Sequence, residues 1–108
     1  MLNKTVWYAG RGTLYYQKNM PTLDITISNT LGLHARAAAK LTQLAAKFNS
    51  DIFIARDAKR VNAKSIMGVM MLAAGKGVTV RLDASGDDAD QALSEIQALF
   101  ADNFGDDQ

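Results

Sequence analysis

Two stretches in which apolar residues recur at helical spacing constrain the fold of this 108-residue chain most. Residues 37–48 carry apolar side chains at positions 38, 41, 44, 45 and 48, which is the spacing of one buried helical face. A second such stretch runs from about Ala89 to Asp102. Each predicts an amphipathic helix, and such a helix is stable only where its apolar side packs on another layer of structure.

Short segments that alternate between apolar and polar residues, or are briefly apolar, predict that other layer. The predicted strands are 23–27, 52–54, 60–63 and 78–82, with a turn at 84–87. A short third helix is predicted at 65–71. The resulting order, β-α-β-β-α-β-α, predicts a mixed α/β (α+β) fold in which one apolar face of an antiparallel sheet is covered by helices.

The only histidine of the chain, His34, lies at the predicted start of the first helix, two residues before Arg36. The first backbone N–H groups of a helix have no partner inside it, and together with the helix dipole they favour a phosphate by about 0.5 to 2 kcal/mol. The arginine adds a fork of donors that suits phosphate oxygens. These residues allow a phosphate-carrying histidine, although a lone histidine near a helix start is more often a surface residue or a helix cap.

A second motif, Val61-Asn-Ala-Lys-Ser-Ile-Met-Gly-Val-Met70, is followed by Gly75-Lys-Gly77. With Gly-Leu-His34-Ala-Arg, it closely resembles the histidine-containing phosphocarrier (HPr) family of the bacterial phosphotransferase system, over about Leu23 to Phe104. The resemblance implies the open-faced β-sandwich of that family, a four-stranded antiparallel sheet covered on one face by three helices. One departure is Ala37, which follows the His-Ala-Arg triplet where the family usually has proline. Alanine is a strong helix former, so the helix is still expected, with a less rigid first turn.

The resemblance implies a phosphoryl carrier and not an independent enzyme. His34 would accept a phosphoryl group on Nδ1 from an upstream phosphoenolpyruvate-protein phosphotransferase of the enzyme I type, and Arg36 would stabilise the phosphate. The group would then pass to a downstream IIA-type acceptor domain. The sequence does not say whether this chain serves the sugar-uptake branch or the nitrogen-related branch of the family.

The same resemblance assigns roles to the second motif. Ser65 would be phosphorylated by an ATP-dependent HPr kinase/phosphorylase, although a serine at this position taken alone is more often a plain helix N-cap. Partner docking would involve Ala35, Ile66, Met67 and Met70, where flexible thioethers suit several partners. Packing in the core is the other interpretation of this apolar strip, above all for Val69 and also for Met70.

Composition excludes several classes of site. With no cysteine and one histidine, the chain offers neither disulfides nor thiolate or histidine-rich metal sites, and no cofactor or metal is expected. No apolar run approaches the roughly 18 residues of a membrane span, and the first residues lack the apolar segment of a secretory signal. We therefore expect a cytoplasmic protein without membrane association. We also expect a monomer.

Charge is segregated along the chain. Residues 33–82 hold nine basic and two acidic side chains, whereas residues 83–108 hold eight acidic and no basic ones. A basic surface around His34 would steer acidic partners towards it, and two plain solvated faces are the alternative. No tyrosine or tryptophan is interleaved with these basic residues, so a nucleic-acid partner is not expected.

Two questions of organisation and role stay open at this point. Residues 1–20 contain the only tryptophan and all three tyrosines, show no sustained period, and are interpreted as an extension outside a domain at 21–108.

The competing function is a regulatory interaction module on the same fold, controlled by phosphorylation of Ser65, in which His34 is idle.

Overall fold

The computed structural model describes residues 4–7, 13–16 and 20–105. Six strands, three α-helices and one short 3-10 helix (Asn103–Gly105) lie in these residues. The strands are β1 (Lys4–Trp7), β2 (Thr13–Tyr16), β3 (Thr22–Thr26), β4 (Asp51–Arg56), β5 (Lys59–Asn62) and β6 (Thr79–Ser85). The helices are α1 (Ala35–Ala45), α2 (Ile66–Met71) and α3 (Ala89–Ala101).

All strand pairs are antiparallel, in the order β1-β2-β3-β6-β4-β5. The four predicted strands form one continuous block, with Ile25 opposite Val80 and Ile54 opposite Leu82. The predicted four-stranded antiparallel sheet with three helices is confirmed. Two predicted boundaries are wrong. Residues 84 and 85, predicted as part of a turn, continue β6 by pairing with β4, and α1 ends at Ala45 although its apolar pattern runs to position 48.

The N-terminal segment adds two strands that periodicity did not predict. The backbone of β2 pairs with β3, with Leu14 opposite Leu23, and so extends the sheet at that edge. Residues 1–3, 8–12 and 17–19 of the predicted extension lie outside the described residues. That residues 1–20 are separate from the domain stays a prediction.

One face of the sheet and the inner sides of the helices form the core. Side chains from β3, β4 and β6 meet those of α1 and α3, and Val69 of α2 joins them. The opposite face carries charge pairs such as Arg81 with Asp24 at 2.6 Å and Arg60 with Asp83 at 2.7 Å. The arginines of both pairs are exposed at the surface, where such pairs contribute little to stability. This arrangement explains why the strands alternate, because only one face of the sheet is covered.

Side chains from the β4–β5 hairpin hold the end of α2. Arg56 Nη1 donates to the carbonyls of Leu72 at 3.1 Å and Ala73 at 2.7 Å, and Lys59 Nζ donates to that of Met71 at 3.2 Å. The last carbonyls of a helix have no partner inside it, and cations there also complement its dipole. The short α2 is therefore fixed to the sheet at its C-terminal end. In the described part of the chain, no helix has the length and apolar character to cross a membrane.

Candidate functional site

His34 is the N-cap residue of α1. Its backbone is extended, with φ −73° and ψ 178°, and Ala38 N–H makes the first intrahelical bond to the His34 carbonyl at 2.8 Å. The amides of residues 35–37 precede that bond and point out of the start of the helix. No acidic residue lies in the first turn. The half-buried imidazole therefore lies beside the positive end of the α1 dipole.

The imidazole of His34 faces a carbonyl of its own loop. Its Nδ1 atom lies 3.0 Å from the Gly32 carbonyl oxygen. A carbonyl oxygen only accepts hydrogen bonds, so Nδ1 carries the proton in this arrangement and the lone pair of the neutral ring lies on Nε2. The atom expected to accept the phosphoryl group is thus a hydrogen-bond donor in the resting structure.

Gly32 occupies a position that only glycine fits. Its φ is +64°, and a Cβ there would lie 2.5 Å from the Ala74 carbonyl oxygen and 2.6 Å from Gly75 Cα. Next to it, Leu33 N–H donates to the Ala74 carbonyl at 2.9 Å. The loop that carries His34 is thereby packed directly on the segment that follows α2. The glycine motif was recognised in the sequence, but this contact was not.

The other residues of the first motif are placed as a helix start requires. Ala35 and Arg36 are exposed in the first turn of α1, directly after His34. Ala37 is helical and fully buried, so the absence of the usual proline does not prevent the helix from forming. The exposed Arg36, two residues after His34, adds a second source of positive charge at this end of α1.

Ser65 is the N-cap residue of α2, as predicted. Its hydroxyl accepts a hydrogen bond from Gly68 N–H at 3.1 Å, and its own N–H donates to the Asn62 carbonyl at 3.0 Å. The side chain is half-buried. The cap accounts for the residue structurally, and a phosphate on this oxygen would lie at the start of the helix, where negative charge is tolerated.

Four large apolar side chains of α2 are exposed and are called here the α2 surface. They are Ile66 (39%), Met67 (67%), Met70 (39%) and Met71 (61%). Val69 is fully buried, as expected, whereas the interpretation of Met70 as core is wrong because α2 turns only its Val69 side to the sheet. Met71 was not singled out from the sequence. Exposed apolar patches of this kind mark sites of protein association.

Comparison with known proteins identifies the family. The family model described as "PTS HPr component phosphorylation site" matches residues 22–102. The chain belongs to the HPr family. It is a phosphocarrier of the phosphotransferase system and not a classical enzyme.

Relatives and solved structures agree with this membership. The chain is 57% identical over 82 residues to phosphocarrier protein HPr of Cupriavidus necator, which covers 76% of this chain and 92% of that protein. It also matches the crystal structure of an HPr from Thermoanaerobacter tengcongensis with a TM-score of 0.78 and 45% identity, over 81% of this chain and 98% of the other. A structure described as an HPr dimer from the same organism matches with a TM-score of 0.65 and 48% identity, covering 76% and 94% of the two chains.

Proposed function

We propose that this HPr family member accepts a phosphoryl group on Nδ1 of His34 from an enzyme I-type donor and passes it to a IIA-type acceptor domain. The observation that carries the proposal is the placement of His34 as N-cap of α1, beside the exposed Arg36. Helix amides, the helix dipole and a guanidinium are three features that each favour a phosphate at this imidazole.

The resting hydrogen bond imposes an order on the transfer. The ring first turns away from the Gly32 carbonyl, which brings the buried Nε2 atom into contact with solvent, and the proton then moves from Nδ1 to Nε2 through water. The Nδ1 lone pair then forms the N–P bond while the P–N bond of the donor phosphohistidine breaks, and its electron pair returns to the donor imidazole. The product forms as an imidazolium, with phosphate on Nδ1 and the proton on Nε2, and its ring becomes neutral only when Nε2 gives that proton to solvent.

The site has to stabilise the phosphate without trapping it. A helix N-terminus contributes only about 0.5 to 2 kcal/mol to anion binding, and an exposed guanidinium is screened by water. Deep binding of the phosphorylated state would raise the barrier to the next transfer. A half-buried histidine beside an exposed arginine fits a carrier better than an enclosed pocket would.

Intact mass after incubation with phosphoenolpyruvate and enzyme I tests the proposal. One phosphoryl group should appear on the parent and none on His34→Ala. Arg36→Ala should slow labelling about tenfold, the factor corresponding to the loss of one charge-assisted hydrogen bond. Lys47→Ala, which removes an exposed charge beyond the C-terminal end of α1, is the control and should label like the parent. Labelling that persists in His34→Ala contradicts the carrier mechanism.

We further propose that an ATP-dependent HPr kinase/phosphorylase phosphorylates Ser65 and thereby slows transfer at His34. Ser65 immediately precedes the α2 surface, so a phosphate there brings a charge of about −1.5 to −2 to the place where a partner would dock. The added charge would oppose an acidic partner and cost desolvation. The capping position supports the expectation that α2 itself survives the modification.

Charge substitution separates the two roles of Ser65. Ser65→Asp should label on His34 at least tenfold more slowly than Ser65→Ala at low salt, and the difference should shrink at high salt because screening weakens the repulsion. Equal rates in both variants would reduce Ser65 to a helix cap. If the parent accepts phosphate on Ser65 but never on His34, the regulatory module becomes the function instead. We also propose that the chain is a monomer, and light scattering should then give the mass of a single chain.

A further inference from the structure

Asn29, at the start of the loop that carries His34, is a buried polar residue with no assigned role. Its side chain is only 1% exposed. The side-chain Nδ2 atom of Asn29 donates to the Gly32 carbonyl at 2.9 Å. The backbone carbonyl of Asn29 accepts from Gly32 N–H at 3.3 Å. Asn29 thus closes the turn whose last residue is Gly32.

Two side chains converge on one carbonyl oxygen. The buried Gly32 carbonyl accepts from Asn29 Nδ2 at 2.9 Å and from His34 Nδ1 at 3.0 Å. A carbonyl has two lone pairs and accommodates both donors. When the ring of His34 leaves this oxygen, the Asn29 amide still satisfies it. Without that amide, release of the ring would leave a buried acceptor empty, which is costly.

The side-chain carbonyl of Asn29 indicates that the residue does not serve folding alone. Its Oδ1 atom is buried and has no hydrogen-bond partner among the described residues. A buried acceptor left unpaired lowers stability, and leucine has a similar branched shape without that penalty. For folding alone, an apolar residue would serve at least as well at this position. The donor Nδ2 is the part of the side chain that the loop uses.

We propose that Asn29 is a positioning residue for phosphoryl transfer. It fixes the Gly32 carbonyl that holds the Nδ1 proton of resting His34, and it remains as donor to that carbonyl when the ring turns to accept phosphate. The inference rests on the proposed function of His34. It concerns the step before transfer, in which Nδ1 gives up its proton, Nε2 gains one, and the hydrogen bond to Gly32 breaks.

Two variants remove the donor. Asn29→Leu keeps the shape of the side chain, and Asn29→Ala avoids any overpacking should the leucine be poorly accommodated. Ser28→Ala is the matched control, because the Ser28 hydroxyl donates to Asn103 Oδ1 at 2.6 Å and makes no bond to Gly32. All three variants lose one side-chain hydrogen bond in the same loop, but only the first two lose the one on the Gly32 carbonyl.

The ratio of the two His34 tautomers distinguishes the proposal, because it should not change if Asn29 only stabilises the fold. Nitrogen-15 chemical shifts of the ring at alkaline pH, where an imidazole is neutral, give the ratio of the two tautomers. In both Asn29 variants, His34 becomes the sole side-chain donor to Gly32, so the Nδ1–H tautomer should increase relative to the parent. Ser28→Ala should keep the parent ratio. An unchanged ratio in both Asn29 variants overturns the proposal.

Transfer rates complete the test. Labelling by enzyme I and phosphoenolpyruvate should slow about fivefold in both Asn29 variants, the factor corresponding to the loss of one hydrogen bond, with kcat affected more than KM. Asn29→Leu should melt no lower than the parent. Rates equal to that of Ser28→Ala also refute the role of Asn29. A parent that never labels refutes the proposed function instead, and the tautomer ratio is still measurable in that case.

Discussion

Leu33 donates its backbone N–H to the Ala74 carbonyl across 2.9 Å, although the two residues are 41 positions apart. This bond joins the loop that carries His34 to the segment that follows α2. Gly32 packs on the same carbonyl. A contact between backbones therefore joins the loop that carries the imidazole to the segment that follows the α2 surface.

The contact predicts that Gly32→Ala is far more damaging than the same change at another glycine of positive φ. Gly77 has φ +89° with nothing within 4 Å of an added Cβ, so Gly77→Ala should cost only the backbone strain of about 1 to 2 kcal/mol. At Gly32 the methyl group also collides with backbone atoms, and overpacking adds about 1 to 3 kcal/mol. Urea unfolding of both variants measures the difference. Equal losses would mean that the loop moves away from Ala74 freely.

Sequence patterns predicted β3 to β6 and the three helices, but neither the strands β1 and β2 nor the contacts between elements. The apolar period placed α1 and α3 because their buried faces recur along the chain, and the Ser65 cap follows from local chemistry alone. The packing of Gly32 on Ala74 depends on a positive φ and on a neighbour more than 40 residues away, neither of which a local pattern specifies. Met71 was missed because a six-residue helix gives too few turns to define its buried side.

The junction before α3 predicts a specific acid sensitivity. Asp88 accepts hydrogen bonds from the Ser50 hydroxyl, from Asn49 N–H at 2.8 Å and from Ser50 N–H at 2.9 Å. These bonds, the Ser50 hydroxyl first, hold the pKa of Asp88 below its ordinary value of 3.8. A lowered pKa in the folded state means that the ionised carboxylate stabilises the fold above the unfolded pKa, and that this contribution is lost as pH falls through the folded pKa.

Asp88→Asn should therefore be less stable than the parent at pH 7, and the gap should narrow as the pH falls below about 4, the ordinary aspartate range. Melting curves between neutral pH and pH 2.5 follow the gap. Asp87→Asn is the control, because the hydrogen bonds to Asn49 and Ser50 are made by Asp88. A gap that stays constant over this range would show that the carboxylate charge is irrelevant to the junction.

Removal of residues 1–19 should leave the domain folded. The core formed by the described residues runs from Leu23 to Phe104, and β2 contributes backbone pairing at one edge of the sheet. A chain that begins at Met20 should melt within about 4 °C of the full chain, which corresponds to less than about 1 kcal/mol for a domain of this size. Far-ultraviolet circular dichroism is the suitable probe, since the shortened chain has no tryptophan or tyrosine. A larger drop would place the N-terminal strands within the cooperative unit.

The exposed methionines of α2 predict a docking effect separable from folding. Met67→Gln and Met71→Gln replace exposed apolar side chains by polar ones of similar length, so neither should lower the melting temperature. If enzyme I covers the α2 surface, each change should raise the KM for labelling of His34 about fivefold or more, with kcat unchanged, because burial of a methionine contributes about 1.5 to 3 kcal/mol. Met20→Gln, at an exposed methionine outside α2, is the matched control and should leave KM unchanged. If Met67→Gln raises KM and Met71→Gln does not, the contact is restricted to the N-terminal side of α2. Equal KM values for all three variants would show that the methionines of α2 do not contact enzyme I.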